Sequence, residues 1–226
     1  MRGALALVLA LTGCGNYDPV TSSSTGGTTT TNEVPDVQAS CTNMAPCGGD
    51  VVGTWVVADS CVPVSGEANM SGFGLGCTAA PVTGALEVTG SWIANADGTF
   101  TDQTTTAGDS VIELPPACLN VSGTITTCDR LDGALQALGY ASVTCADAAS
   151  GGCTCMASVQ QTGGMAFVVL GASSDGRYAL ANDAFTVTGR APREYAYCVA
   201  GTTLTMTPQS ANNAGMLMGT VVLQKQ

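Results

Sequence analysis

Apolar and polar residues alternate with a period of two along several stretches of this chain. Thr203, Thr205 and Thr207 interleave with Leu204 and Met206; Phe185 and Val187 with Thr186 and Thr188; Leu86 and Val88 with Ala85, Glu87 and Thr89. Successive side chains of a strand point to opposite faces, so each stretch predicts a strand with one face buried and one in water. Turn chemistry lies between such stretches. Ala96-Asp97-Gly98-Thr99 and Ser174-Asp175-Gly176-Arg177 each set Asp-Gly ahead of an aromatic-bearing segment, which predicts two hairpins. One segment departs from the rule. Leu131, Leu135 and Leu138 recur at helical spacing, with Asp129 placed to cap the start and Gly139 to end it, so a short helix is predicted there. The expected fold is all-β and antiparallel, an up-and-down barrel with a β-sandwich as the alternative.

Composition agrees with strands. Charged residues make up 10% of the chain, and the Glu, Lys, Leu and Arg runs that build long helices are missing. The net charge of -11 and the scatter of Arg130, Arg177, Arg190, Arg193 and Lys225 exclude nucleic acid and anionic lipid headgroups as partners, since both demand clustered cations.

The N-terminus has the parts of an export signal: Arg2, then an apolar run of about 8 residues from Ala4 to Leu11, then small residues. Polarity returns at Gly15, Asn16, Tyr17 and Asp18, well short of the ~20 apolar residues that span a bilayer. Leu11-Thr12-Gly13-Cys14 resembles the lipobox of bacterial lipoproteins, which implies cleavage before Cys14, acylation of Cys14 and attachment to a membrane through those acyl chains. Gly15 follows the cysteine where an Asp retains some lipoproteins at the inner membrane, so the outer membrane is the expected destination, facing the periplasm or the exterior. Residues 1–13 are then a signal peptide, and residues 14–40 a tether. The Ser/Thr/Gly-rich tether, with Thr21-Ser22-Ser23-Ser24-Thr25-Gly26-Gly27 at its centre, offers too little apolar surface to offset the entropy of ordering. Residues 41–226 suit a single β domain.

Cysteine parity fits export. Of 11 Cys, setting Cys14 aside leaves Cys41, Cys47, Cys61, Cys77, Cys118, Cys128, Cys145, Cys153, Cys155 and Cys198, an even set that predicts up to five disulfides in an oxidising compartment. Ten thiols allow about 945 pairings, so spacing assigns none of them.

Gly53-Thr54-Trp55, echoed by Gly90-Ser91-Trp92, is similar to the Gly-x-Trp opening of lipocalin-like domains. Ala96-Asp97-Gly98-Thr99-Phe100-Thr101, Tyr197-Cys198-Val199-Ala200-Gly201-Thr202-Thr203-Leu204-Thr205-Met206-Thr207 and Gly219-Thr220-Val221-Val222-Leu223 resemble strands of lipocalin-like, Cys-rich lipoproteins of Gram-negative bacteria. The resemblance implies an up-and-down barrel around an apolar cup, with Trp55 at its closed end. It further implies a small hydrophobic ligand, for which Trp55, Phe100, Tyr178, Phe185, Tyr195 and Tyr197 are the candidate lining residues. Plain core packing of the same aromatics is the competing expectation.

Chemistry is constrained by a single count. The chain contains no His, which excludes Ser-His-Asp and Cys-His mechanisms and the usual zinc enzymes. What remains is a carboxylate pair drawn from Glu87, Asp97, Asp102 and Glu113, suited to a weak hydrolase if two meet in different environments. Cys153-Thr154-Cys155 and the pair Met216 and Met218 are spaced for a soft metal, although structural bridges and core filling account for them more simply. No Asp-x-Asp-x-Asp-Gly calcium loop is present, and the sequons at Asn69 and Asn120 carry no function here. No cofactor is implied. The expected function is non-catalytic binding of a small hydrophobic ligand on a membrane tether, with a surface-displayed interaction module, recognised by an envelope protein, as the alternative.

Overall fold

The computed structural model describes residues 38–71, 73–168, 172–188, 192–209 and 216–226. Cys14, the signal peptide and most of the tether lie outside them. The described chain forms β1 (Gly53–Ser65), β2 (Glu67–Asn69), β3 (Ala79–Ala94), β4 (Thr99–Leu114), β5 (Asn120–Val121), β6 (Thr124–Ile125), α1 (Asp132–Gln136), β7 (Ser142–Asp147), β8 (Cys153–Thr162), β9 (Asp175–Ala181), β10 (Ala184–Thr188), β11 (Arg193–Ala200), β12 (Thr203–Pro208), β13 (Met216–Leu217) and β14 (Thr220–Lys225).

Eight of these strands close a barrel. Around the ring run β1, β3, β4, β9, β10, β11, β12 and β14, each antiparallel to its neighbours, with β14 returning to pair β1. Closure leaves no free edge within the ring, so the up-and-down barrel forms and the sandwich does not. The period-two pattern decides which residues point inward: Trp92, Phe100, Phe185, Tyr195, Leu204, Met206, Val221 and Leu223 are all nearly or fully buried.

β3 and β4 are twice as long as the barrel needs. Their far halves bend away and continue the same sheet outward through β2 on one side and β8 and β7 on the other. Glycines permit the bend. A side chain on Gly90 (φ +97°) would run into the Gln103 carbonyl oxygen, and one on Gly108 into that of Ala85. β1 loses its ladder to β3 between Val56 and Val62, where the Ser60 hydroxyl accepts from the Val88 N–H at 2.8 Å instead. The extension packs its own apolar face, including Leu86, Ile112, Leu114 and Val143, against α1 and its flanking turns.

The helix is shorter than its leucine spacing suggests. Leu131, Leu135 and Leu138 are buried as a stripe, but Asp129 sits in a preceding 3-10 turn and caps nothing; Leu131 is the N-cap and offers no side-chain bond. Asp132 turns its carboxylate outward from the helix to accept from the Cys145 N–H at 3.1 Å, tying α1 to β7. Gly139 ends the segment at φ +108°.

Of the two expected hairpins, one forms. Asp97-Gly98 turns β3 into β4, with the Asp97 carboxylate accepting from both the N–H and the hydroxyl of Thr99 at 3.0 and 2.6 Å. Those bonds hold its pKa below the ordinary carboxylate value. Asp175-Gly176 does not turn. It lies in β9, where Gly176 is registered with Phe100, because a side chain there would strike the Phe100 ring at 2.9 Å. The β9–β10 turn is made by Asn182 and Asp183, both left-handed at φ +50° and +61°.

The expected disulfide framework is present as five bridges: Cys41–Cys61, Cys47–Cys198, Cys77–Cys118, Cys128–Cys153 and Cys145–Cys155. Three staple the extension. The other two pin a strap, residues 40–51, that runs along the outside of β14, β12 and β11. Ser40 exchanges bonds with Thr220, Asn43 accepts from the Gly219 N–H, and Gly48 bridges to β11. Thr207, Thr220 and Val222 are buried because the strap covers them.

Candidate functional site

The barrel has two different ends. At one, tight turns at residues 95–98, 182–183 and 201–202 gather with the strap residue Val51. Trp55 stands at this closed end, fully buried, with its indole N–H donating to the Val51 carbonyl at 2.7 Å and Lys225 Nζ lying 5.2 Å from its ring centre. At the other end the chain leaves β8 and re-enters the barrel as a plug, residues 163–168, in which Met165, Ala166, Phe167 and Val168 are buried.

Six aromatics form one connected cluster. Trp92 meets Phe185 edge-on at 4.9 Å and Phe100 at 6.4 Å; Phe185 lies 5.3 Å from Tyr178 and 5.8 Å from Tyr195; Phe167 of the plug meets Tyr195 edge-on at 5.2 Å. Such ring pairs are each favourable beyond the area they bury. Thus four of the six candidate lining residues, Phe100, Tyr178, Phe185 and Tyr195, join one cluster, while Trp55 and Tyr197 make no ring pair with it.

The polar handles of the candidates are engaged by the protein's own backbone. Tyr178 donates to the Asn95 carbonyl (2.8 Å), Tyr195 to that of Met165 (2.9 Å), Tyr197 to that of Gly49 (3.2 Å) and Trp55 to that of Val51. Burial raises the pKa of all three phenols, most strongly that of Tyr195. They remain neutral donors at any physiological pH.

The plug is held by a polar stripe on β4 that strand periodicity hides. After Phe100 the inward positions read Asp102, Thr104 and Thr106, all buried. Asp102 Oδ1 accepts from the Thr104 N–H (3.0 Å) and hydroxyl (2.6 Å), while Oδ2 accepts from the Gly164 N–H (2.7 Å). Thr106 Oγ1 accepts from the Ala166 N–H (3.0 Å), and Gln161 donates to the Gly163 and Phe167 carbonyls at 2.8 Å each. Beside this network Arg193 enters from β11, 4% exposed, its Nε without a hydrogen-bond partner. Sequence reasoning missed the plug, Arg193 and the anchoring role of Asp102. The available signal was Gly163-Gly164 ahead of the apolar run Met165-Ala166-Phe167-Val168, and an all-polar stretch following Phe100 on a predicted strand.

The four candidate carboxylates are dispersed. Asp97 serves its turn and Asp102 the plug. Glu87 and Glu113 share the outer face of the long hairpin, but Glu87 is registered with Ala107, six residues before Glu113, a span of roughly 20 Å. Glu87 does border a surface hollow of about 300 Å³ together with Ala85, Ala107, Gly108 and Asp109, while Glu113 accepts from Thr154 at 2.8 Å. Cys153 and Cys155 face the same way from β8 and bridge to different partners. Met216 and Met218 do not share a strand, because β13 ends at Leu217. Among the described residues no group of three His, Cys, Asp or Glu is placed to hold a metal ion.

Comparison of the chain with family models, with curated proteins and with solved structures returns no match.

Proposed function

We propose that this protein is a bacterial outer-membrane lipoprotein, acylated at Cys14, whose tether carries a non-catalytic β-barrel head that works by surface recognition. The observation that carries this proposal is the occupant of the barrel: its own plug and its own rings, with the polar handles of Trp55, Tyr178, Tyr195 and Tyr197 bound to backbone carbonyls. A head filled in this way offers a partner its outside. The strap supports the same role. A pull arriving along the chain at Cys41 passes through Cys41–Cys61 into β1 and through Cys47–Cys198 into β11, so covalent bonds resist peeling of the first described residues from the barrel. A flexible tether raises the effective concentration of such a head at a partner within reach.

Intact-mass analysis of the mature protein, with and without reduction, tests the anchor: an N-terminus at acylated Cys14 and a gain of ten hydrogens on reduction are expected. A mature N-terminus elsewhere would sink the anchor. Crosslinking in intact cells tests the role, with a specific envelope partner expected. A protein that crosslinks to nothing while carrying a ligand would sink it.

A small hydrophobic ligand inside the barrel is the second candidate, favoured by the closed eight-stranded ring and by Ala166, which holds the plug at a left-handed φ of +66°. Such a ligand would take the place of Phe167. Native mass spectrometry of the delipidated protein after exposure to fatty acids and pigments decides between the two, because a retained adduct lost on Phe167→Trp would favour the ligand.

A further inference from the structure

We infer that the strap is a redox-released extension of the tether: an external dithiol reduces Cys41–Cys61 and Cys47–Cys198 while the three bridges of the sheet extension stay oxidised, and residues 40–47 then leave the barrel. Thiol–disulfide exchange needs a thiolate to reach a bridge sulfur, so access decides which bridge reacts. Cys41 and Cys47 are exposed, and their partners Cys61 and Cys198 are half-buried. In Cys128–Cys153 and Cys145–Cys155 all four residues are buried. Cys77 is half-buried, but attack there would expel the thiolate of Cys118, which is 0% exposed within the core, where an unpaired charge is costly. At each strap bridge the first thiolate of the dithiol bonds to the exposed sulfur and expels the partner cysteine. Its second thiol then attacks the mixed disulfide, closes a cyclic disulfide and frees the other cysteine. Two electrons and two protons pass to the protein per bridge, so two dithiols are oxidised and four protein thiols appear.

Without its bridges little holds this segment. None of residues 40–47 is buried, and only Met44 is half-buried. Their ties to the barrel are a few hydrogen bonds: Ser40 exchanges with Thr220 at 2.7 and 2.9 Å, Asn43 accepts from the Gly219 N–H at 3.0 Å, the Met44 N–H donates to the Thr207 hydroxyl at 3.4 Å, and the Cys47 N–H donates to the Tyr197 carbonyl at 3.1 Å. The net gain from so few bonds does not offset the entropy of ordering the backbone. Release stops before Val51, which is 1% exposed and accepts the Trp55 indole N–H. The freed residues from Cys41 to Cys47 add up to about 24 Å of reach. On an acylated chain that reach changes the effective concentration of the head at a partner. This consequence rests on the proposed anchor, whereas the order of reduction and the release are properties of the chain with or without it.

The test is graded reduction of the full mature chain in detergent with dithiothreitol, read by iodoacetamide trapping with peptide mapping and by hydrogen exchange. Cys41, Cys47, Cys61 and Cys198 should become alkylated at least tenfold faster than the cysteines of the other three bridges, with tryptophan fluorescence unchanged. Amides of residues 40–47 should then exchange at least tenfold faster, while those of β3 and β4 keep their protection. Combining Cys41→Ser, Cys47→Ser, Cys61→Ser and Cys198→Ser should give the same fast exchange without reductant; if that variant fails to fold, the partly reduced parent carries the test. Reduction of any other bridge ahead of these two overturns the selectivity. Loss of the native fluorescence together with the two strap bridges, or unchanged exchange over residues 40–47 once both are open, overturns the release.

Discussion

Truncation of Phe167 to alanine is the most direct test of the filled barrel. Its ring is 1% exposed, seated inside the barrel against Tyr195 at 5.2 Å. Removing a buried phenylalanine costs about 3–5 kcal/mol through lost transfer energy and the cavity left behind. The edge-to-face pair accounts for about 0.5–1.5 kcal/mol of that. The hydrogen bonds from Gly164 and Ala166 to Asp102 and Thr106 involve backbone groups and survive, so the plug cannot simply swing away and let the barrel collapse. The full cost is therefore expected. For a domain of this size each kcal/mol moves the melting temperature by about 2–4 °C, which predicts a drop of at least about 6 °C. Urea unfolding of oxidised Phe167→Ala, followed by tryptophan fluorescence, measures it, with Ile125→Ala as the control. Ile125 is 75% exposed on the β5–β6 hairpin, and its truncation should stay within about 0.5 kcal/mol. A Phe167→Ala cost below about 1 kcal/mol would mean that the ring is not seated in the barrel, and the plugged interior would have to be abandoned.

Tyr140 predicts an alkaline instability. Burial pushes its phenol up to about 12, and although Ser110 faces it, neither hydroxyl reaches hydrogen-bond geometry. The unfolded chain loses this proton near pH 10 while the folded chain keeps it to about 12, so stability is full below pH 10 and falls as pH rises to 12, by about 3 kcal/mol. Tyr140→Phe should be close to neutral at pH 7 and should abolish this part of the alkaline loss; an unchanged alkaline profile in the variant refutes the assignment. Gly176→Ala should destabilise by about 1–3 kcal/mol, because its methyl group must displace the Phe100 ring, whereas a mere turn glycine would tolerate the change with a smaller loss in the same urea assay. Replacing both Cys47 and Cys198 by alanine opens a loop of 151 residues, for which chain entropy predicts a loss of about 5 kcal/mol. A melt unchanged from the oxidised parent would show that strap and barrel hold together without the bond.

Strands, their inward faces and the Asp97-Gly98 hairpin were legible in the sequence because they depend on neighbours two to four residues apart. Period-two alternation marks a buried face wherever apolar residues supply it, as Leu204 and Met206 do. The even set of ten Cys outside the tether likewise announced disulfides, since parity is a count. Where the local rule and the tertiary need conflicted, the local rule lost. Asp175-Gly176 has turn chemistry, yet Gly176 lies in a strand because Phe100 needs the space above it. Asp102, Thr104 and Thr106 are polar and face inward, against the alternation, because the plug supplies backbone N–H groups for Asp102 and Thr106 from some sixty residues away. By itself, then, the chain's pattern determined an all-β, disulfide-bonded domain and its candidate lining aromatics. Only the tertiary structure decided that those aromatics meet each other and the chain's own backbone, and that Arg193 is buried. A buried side chain's partner is set by packing between distant segments, and no periodicity carries that information.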